Sequence, residues 1–168
     1  MQRVLISSYL VNLALNLAAL AWLPERVASH FGARGLADGW MPRGGYVLMM
    51  VLMQTVFLAV FLGSHRLVFA VSPRWVNLPH KDYWLQPERR AVTQAMLAGW
   101  LGRMGTALFL LMAVTGLLAV QANQVEPARL DMPLFWTALG LFVVYTAGWC
   151  VGFYRAFRLP DRLSRSGT

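Results

Sequence analysis

Four long apolar runs, each near the length a helix needs to cross a bilayer, decide what this chain can fold into. They cover Val4 to Leu23, Tyr46 to Leu62, Met104 to Val120 and Pro133 to Phe153, against a requirement of about 20 residues, range roughly 17–25, for the hydrocarbon core. Backbone in hydrocarbon must satisfy its own hydrogen bonds, so runs of this kind become helices. Only 13% of the 168 residues are charged, 58% are hydrophobic, and the mean hydropathy is +0.51; a soluble domain carries about 25% charged residues. The expectation is an all-α membrane protein, a single integral domain over residues 1–168, with four transmembrane helices. An ordered outer loop joins the first two, and an amphipathic cytoplasmic-side segment precedes the third. Ala19-Leu20-Ala21 before Trp22 faintly matches a signal-peptidase site, but the length of the first run and its asparagines mark it as a retained span.

Between the first two runs, Leu23 to Gly45 combines charge, turn residues, a histidine and aromatics. Pro24 suits the first turn of a short helix through His30, Gly32 and Gly35 permit positive φ where that helix stops, and Asp38-Gly39 is a tight-turn pair. Val27, Phe31 and Leu36 can pack down onto the helix ends, and Trp40 can anchor at the headgroups. Glu25, His30 and Asp38 could converge as metal ligands or as an acid/base pair. A catalytic zinc wants about three protein ligands plus an open position, and this loop holds one histidine. Local roles, with His30 capping the helix end and Asp38 fixing the turn, demand far less geometry. We therefore expect no metal and no cofactor, and a recognition or scaffolding cap in which Glu25, His30, Phe31, Asp38, Gly39 and Trp40 are the binding or structural residues.

The pattern Leu23-Pro24-x-x-Val27-x-x-His30-Phe31, followed by Gly35 and Asp38-Gly39-Trp40 and set between two apolar runs, resembles the first extracytoplasmic loop of bacterial membrane proteins of the SdpI-like group. That group includes a toxin-immunity protein, and most of its members carry a domain of unknown function. The resemblance implies a multi-pass protein of the bacterial cytoplasmic membrane that recognises a peptide or membrane-protein partner at its outer face, in an immunity-like or signalling role. The second half follows the pattern loosely, with fewer spans than the immunity protein.

Within the spans, Ser8, Asn12 and Asn16 are spaced i, i+4, i+8 and share a helix face. An amide facing lipid is costly, so this face should point inward, with Gln54 or Thr55 as partner. Gly99, Gly102 and Gly105 suit close backbone packing, and Gly148-x-x-x-Gly152 offers a contact for an oligomer. Cys150, the single cysteine, lies in an apolar run and is read as packing. From Asn77 to Arg90, His80, Asp82, Tyr83, Trp84, Glu88 and Arg89 mix charge with aromatics, as a headgroup-level segment does. Ion pairing of His80, Asp82 and Glu88 with Lys81, Arg89 and Arg90 is expected there.

Net charge is +8, yet the basic residues sit scattered at the ends of apolar runs. They form no stripe for nucleic acid and suit anionic headgroups instead. Eleven of the 15 Lys and Arg residues lie in Arg3, the Arg66 to Arg103 segment and the C-terminal tail, which places both termini in the cytoplasm. Trp22, Trp40 and Trp136 then mark the outer interface and Trp84, Trp100 and Trp149 the inner one, and Tyr154 to Thr168 is read as a frayed tail. No zinc-hydrolase, phosphate-loop, serine-hydrolase or dinucleotide motif occurs, which argues against an enzyme. An accessory subunit of a larger membrane complex and a small-solute transporter are the alternatives to partner recognition.

Overall fold

The apolar runs become helices, but the loop between the first two does not. The computed structural model describes residues 1–160. In chain order it has α1 (Gln2–Ala19), β1 (Arg26–Phe31), β2 (Ala37–Pro42), α2 (Arg43–Leu67), α3 (Lys81–Trp84), α4 (Arg90–Ala122) and α5 (Met132–Ala156), with single 3-10 turns at Pro73–Trp75 and Pro87–Arg89. Arg162 and Arg165 of the expected frayed tail lie outside the described residues.

α4 is the organising helix. Its 33 residues, about 50 Å at 1.5 Å per residue, pack against α1, α2 and α5, while α1 also packs on α2. The segment before the third span and the span itself are one continuous helix: Pro87 opens a 3-10 turn, its missing N–H costing nothing there, and helical geometry then runs through to Ala122. Small residues set the approach of the backbones. A Cβ on Gly105 would stand 2.7 Å from Leu5 Cδ1 and 2.8 Å from Phe61, so α1, α2 and α4 meet at that glycine. Phe109, one turn further along α4, is fully buried.

The outward faces are apolar. Leu48, Leu52, Val56 and Val60 run down α2, Leu110 and Leu117 lie on α4, and Leu141, Val144 and Val151 on α5, all exposed. Water would not tolerate so continuous an apolar surface, and a lipid bilayer is the solvent it fits. Three helices are long and apolar enough to cross a membrane: α2, α4 extended back to Pro87, and α5. α1 is the exception among the four expected spans. It has 18 residues, carries Arg3 and three side-chain amides, and stops at Ala19 because Leu20 to Leu23 close into turns.

Two further expectations change. The chain is mostly helical but not all-α, because a two-stranded antiparallel sheet stands between α1 and α2. The tryptophans expected at the inner interface pack on one another and on phenylalanines: Trp84 is 8% exposed, and Trp100 and Trp149 meet edge-on at 5.8 Å. They belong to a packed aromatic cluster with Phe153 and Phe157. Trp22, Trp40 and Trp136 at the hairpin end are exposed, as is Trp75 at the other end.

Candidate functional site

At the hairpin end four segments are tied together by hydrogen bonds. α1 ends with carbonyls that its own turns cannot all satisfy, and the Arg43 guanidinium, at the start of α2, donates to Leu20 O at 3.1 Å and Leu23 O at 3.2 Å. Gln124, just beyond α4, donates from Nε2 to Trp22 O at 2.6 Å. The chain then rises into β1 rather than the short helix that Pro24 suggests. Val27 and Ala28 are buried side by side in a strand, with β2 paired along one edge of it. Reversal occurs at Gly32 to Leu36, with Gly35 at φ 77°. Asp38-Gly39 is therefore within β2 and not at the turn.

The strand register carries the local chemistry. Ala28 pairs with Trp40, His30 with Gly39 and Phe31 with Ala37, so Ser29 on one strand and Asp38 on the other are left over. Such bulges re-aim side chains, and here His30 Nδ1 meets Asp38 Oδ1. His30 thus does not cap a helix. Both side chains are open to solvent, 74% and 52% exposed. An exposed pair of this sort contributes about 0–1 kcal/mol. Next to it, Arg26 stacks over the Trp40 ring at 5.5 Å, with Trp40 half-exposed. Glu25 is exposed and contributes its carbonyl, which accepts from Arg43 N at 2.9 Å. Among the described residues no three of His, Cys, Asp and Glu come together in a metal-holding group, so Glu25 does not complete a triad with His30 and Asp38.

While these side chains stay open, the hairpin backbone is fixed from below. Asn123 Oδ1 accepts from Ala28 N at 2.7 Å, and its Nδ2 donates to Ala28 O at 3.1 Å and to Ala119 O at 2.8 Å. At the turn, Ala37 N donates to Ala128 O and Leu130 N to Gly35 O. Sequence reasoning missed Asn123. Its signal was an amide one residue past a long apolar helix, where the final carbonyls of that helix need donors.

Phe31 is half-buried and, with Ser29, roofs a cleft of about 220 Å³ whose lower wall includes Asn16, Tyr46, Met112 and Phe135. The hairpin and the amide face of α1 therefore meet at one place. Of that face, Asn12 makes the interhelical bond: it is 2% exposed and donates to Phe109 O of α4 at 2.8 Å and to Ser8 O at 3.0 Å. Asn16 donates to Asn12 O, and Ser8 donates to Leu5 O. Gln54 is not their partner. It is fully buried on α2, with neither amide atom hydrogen-bonded, while Thr55 pairs with Tyr9 Oη at 3.0 Å. The amide reach of Gln54 is fixed by the rotation of α2, which its sequence does not specify.

At the opposite end the expected ion pairs are replaced by stacking. His30–Asp38 is the one ion pair among the described residues. Arg89 lies 3.7 Å above the Tyr83 ring and Arg90 5.4 Å from Phe69, while Lys81 donates to Pro73 O. Trp84 Nε1 donates to Phe157 O and Thr93 to Trp84 O, both at 2.8 Å. His80, at φ 49°, immediately precedes α3 and is exposed, as are Asp82 and Glu88. This segment is a packed seal on the helix ends. Gly152 is taken up inside the chain, a Cβ there lying 2.7 Å from Trp100, whereas Gly148 faces open space. The two glycines therefore do not form one free surface. Cys150 is exposed on α5, not packed.

A family described as a domain of unknown function (DUF1648) matches residues 9–54. That stretch is α1 from Tyr9, the whole hairpin and α2 as far as Gln54. No curated protein and no solved structure matches the chain.

Proposed function

We propose that this is a multi-pass protein of the bacterial cytoplasmic membrane that recognises a peptide or membrane-protein partner through its outward-facing hairpin, in the immunity-like or signalling manner that the SdpI-like resemblance implies. α1 is then the fourth crossing, both termini are cytoplasmic, and the hairpin is outside. Basic residues support that orientation: Arg66, Arg74, Lys81, Arg89 and Arg90 cluster at the end away from the hairpin, and cytoplasmic flanks are enriched in Lys and Arg.

One observation carries the recognition reading. The hairpin backbone is pinned at Ala28, Gly35 and Ala37, while Arg26, His30, Asp38 and Trp40 remain exposed. Binding costs less when the binding groups are already ordered, and an Arg, an aromatic ring and a polar pair are the kinds of side chain that dominate interfaces. The cleft beneath Phe31 adds an apolar recess for a partner side chain. Purification in mild detergent, followed by mass spectrometry of everything bound, tests the proposal. The expected result is a stoichiometric peptide or protein that is lost from His30→Ala and Trp40→Ala while both variants melt as the parent does. Retention by both variants, or a parent protein with nothing bound, would refute it.

A further inference from the structure

Away from the hairpin, α4 and α5 do not close against each other along their whole length. A cleft of about 620 Å³ separates them, running from Arg103 and Tyr145 at one end to Val114 and Leu134 at the other. The antiparallel alignment that puts those residues together is fixed by Trp149 Nε1 donating to Trp100 O at 2.9 Å. Between its ends the cleft is apolar in effect. Thr106 and Thr137 line it, but each hydroxyl donates at 2.8 Å to a carbonyl of its own helix, Gly102 O and Pro133 O.

Two features say what fits. The first is length: from Arg103 to Val114 is roughly 16 Å along the helix at 1.5 Å per residue, close to one leaflet, half of the ~30 Å hydrocarbon core. The second is charge. Arg103 is exposed at the start of the apolar part of α4, its guanidinium is held 5.0 Å from the Trp100 ring centroid, and no carboxylate pairs with it among the described residues.

We propose that the α4–α5 cleft is a binding site for an anionic phospholipid, with one acyl chain lying along the groove and the phosphate on the Arg103 guanidinium. The Tyr145 hydroxyl stands at the same end for the headgroup. The chain fills a gap beside α5, a helix with no buried residue of its own.

The full chain, reconstituted in nanodiscs of equal parts phosphatidylglycerol and phosphatidylcholine and released for native mass spectrometry, provides the test. One lipid per protein should survive release, with phosphatidylglycerol favoured about fivefold, the equivalent of the ~1 kcal/mol that one basic side chain contributes near an anionic surface. Arg103→Gln should abolish that preference, whereas Arg66→Gln, a cation outside the cleft, should leave it. Ala138→Trp, which fills the groove, should lower retention of both lipids; should that variant fail to fold, the two arginine variants still decide. Equal retention of the two lipids by the parent, an unchanged preference in Arg103→Gln, or a lipid-free dimer would overturn the proposal.

Discussion

Replacing Asn123 by alanine should free the hairpin without unfolding the bundle. The side chain satisfies both backbone groups of Ala28, a residue only 1% exposed. Its third bond, to Ala119 O, stays within its own helix end. Truncation strands a buried N–H and a buried C=O, each costing about 1–3 kcal/mol when unsatisfied. Taking the lower part of that range for two adjacent groups gives ~2–4 kcal/mol of lost docking, or local opening made roughly 30- to 800-fold more frequent. Asn123→Asp keeps the acceptor for Ala28 N but turns a carboxylate oxygen toward the carbonyls of Ala28 and Ala119, so it should loosen the hairpin as well. Hydrogen exchange in nanodiscs reads this residue by residue: amides of β1 and β2 should speed up, Ala28 most, while those of α2 and α4 stay protected. If Ala28 exchanges in Asn123→Ala within about threefold of the parent rate, the hairpin is held by something other than this side chain, and the pinned-platform reasoning fails.

Gln54→Met should leave stability unchanged or raise it by about 1–3 kcal/mol, because it replaces an unpartnered buried amide by an apolar side chain of similar size; a loss above ~1 kcal/mol in a denaturation series would mean that the amide has a partner. Gly35→Ala should open the turn, since a Cβ would stand 2.8 Å from Met132 and 2.9 Å from Leu130 O at a φ of 77°, and limited proteolysis between Gly32 and Ala37 should accelerate. Orientation can be read in a Cys150→Ser background from single cysteines at Ala33 and Gln86. An impermeant thiol reagent on intact cells should label Ala33→Cys alone, and labelling of Gln86→Cys instead would reverse the topology.

How far the sequence reveals this molecule depends on how local each cause is. Run length and hydropathy are local, so α2, α4 and α5 are legible from the residues alone, and so is the inward direction of Asn12, whose amide could not face lipid. The hairpin is not legible in this way. Pro24 and the glycines around Arg34 permit a capped helix as well as a strand pair, and what selects the strands is Asn123 and the 128–130 backbone, roughly a hundred residues on. His30 and Asp38 stand out by residue type, but the pair forms through bulges at Ser29 and Asp38 that no residue pattern announces. The Asn77 to Arg90 segment shows the opposite failure. Its charges suggested ion pairs, while Tyr83 and Phe69 gave Arg89 and Arg90 aromatic faces that hold a guanidinium with less desolvation.

The match over residues 9–54 divides the site in a way that bears on how it is held. Inside that stretch lie all the exposed side chains of the hairpin and the amides Asn12, Asn16 and Gln54. Outside it lie the groups that fix them: Phe109 O for Asn12, Asn123 for Ala28, and Ala128 and Leu130 for the turn. A two-stranded hairpin alone is marginal in water, and a buried side-chain amide such as that of Asn12 is costly without a hydrogen-bond partner. In this chain α4 answers both needs with one helix, bonding the Asn12 amide midway along its length and the hairpin at its end. The surface proposed to recognise a partner is therefore built by α1 to α2, and α4 holds it in place. Substitutions along α4 near Phe109 or Asn123 should alter binding at the hairpin without touching it, through the order of the platform and not through its chemistry.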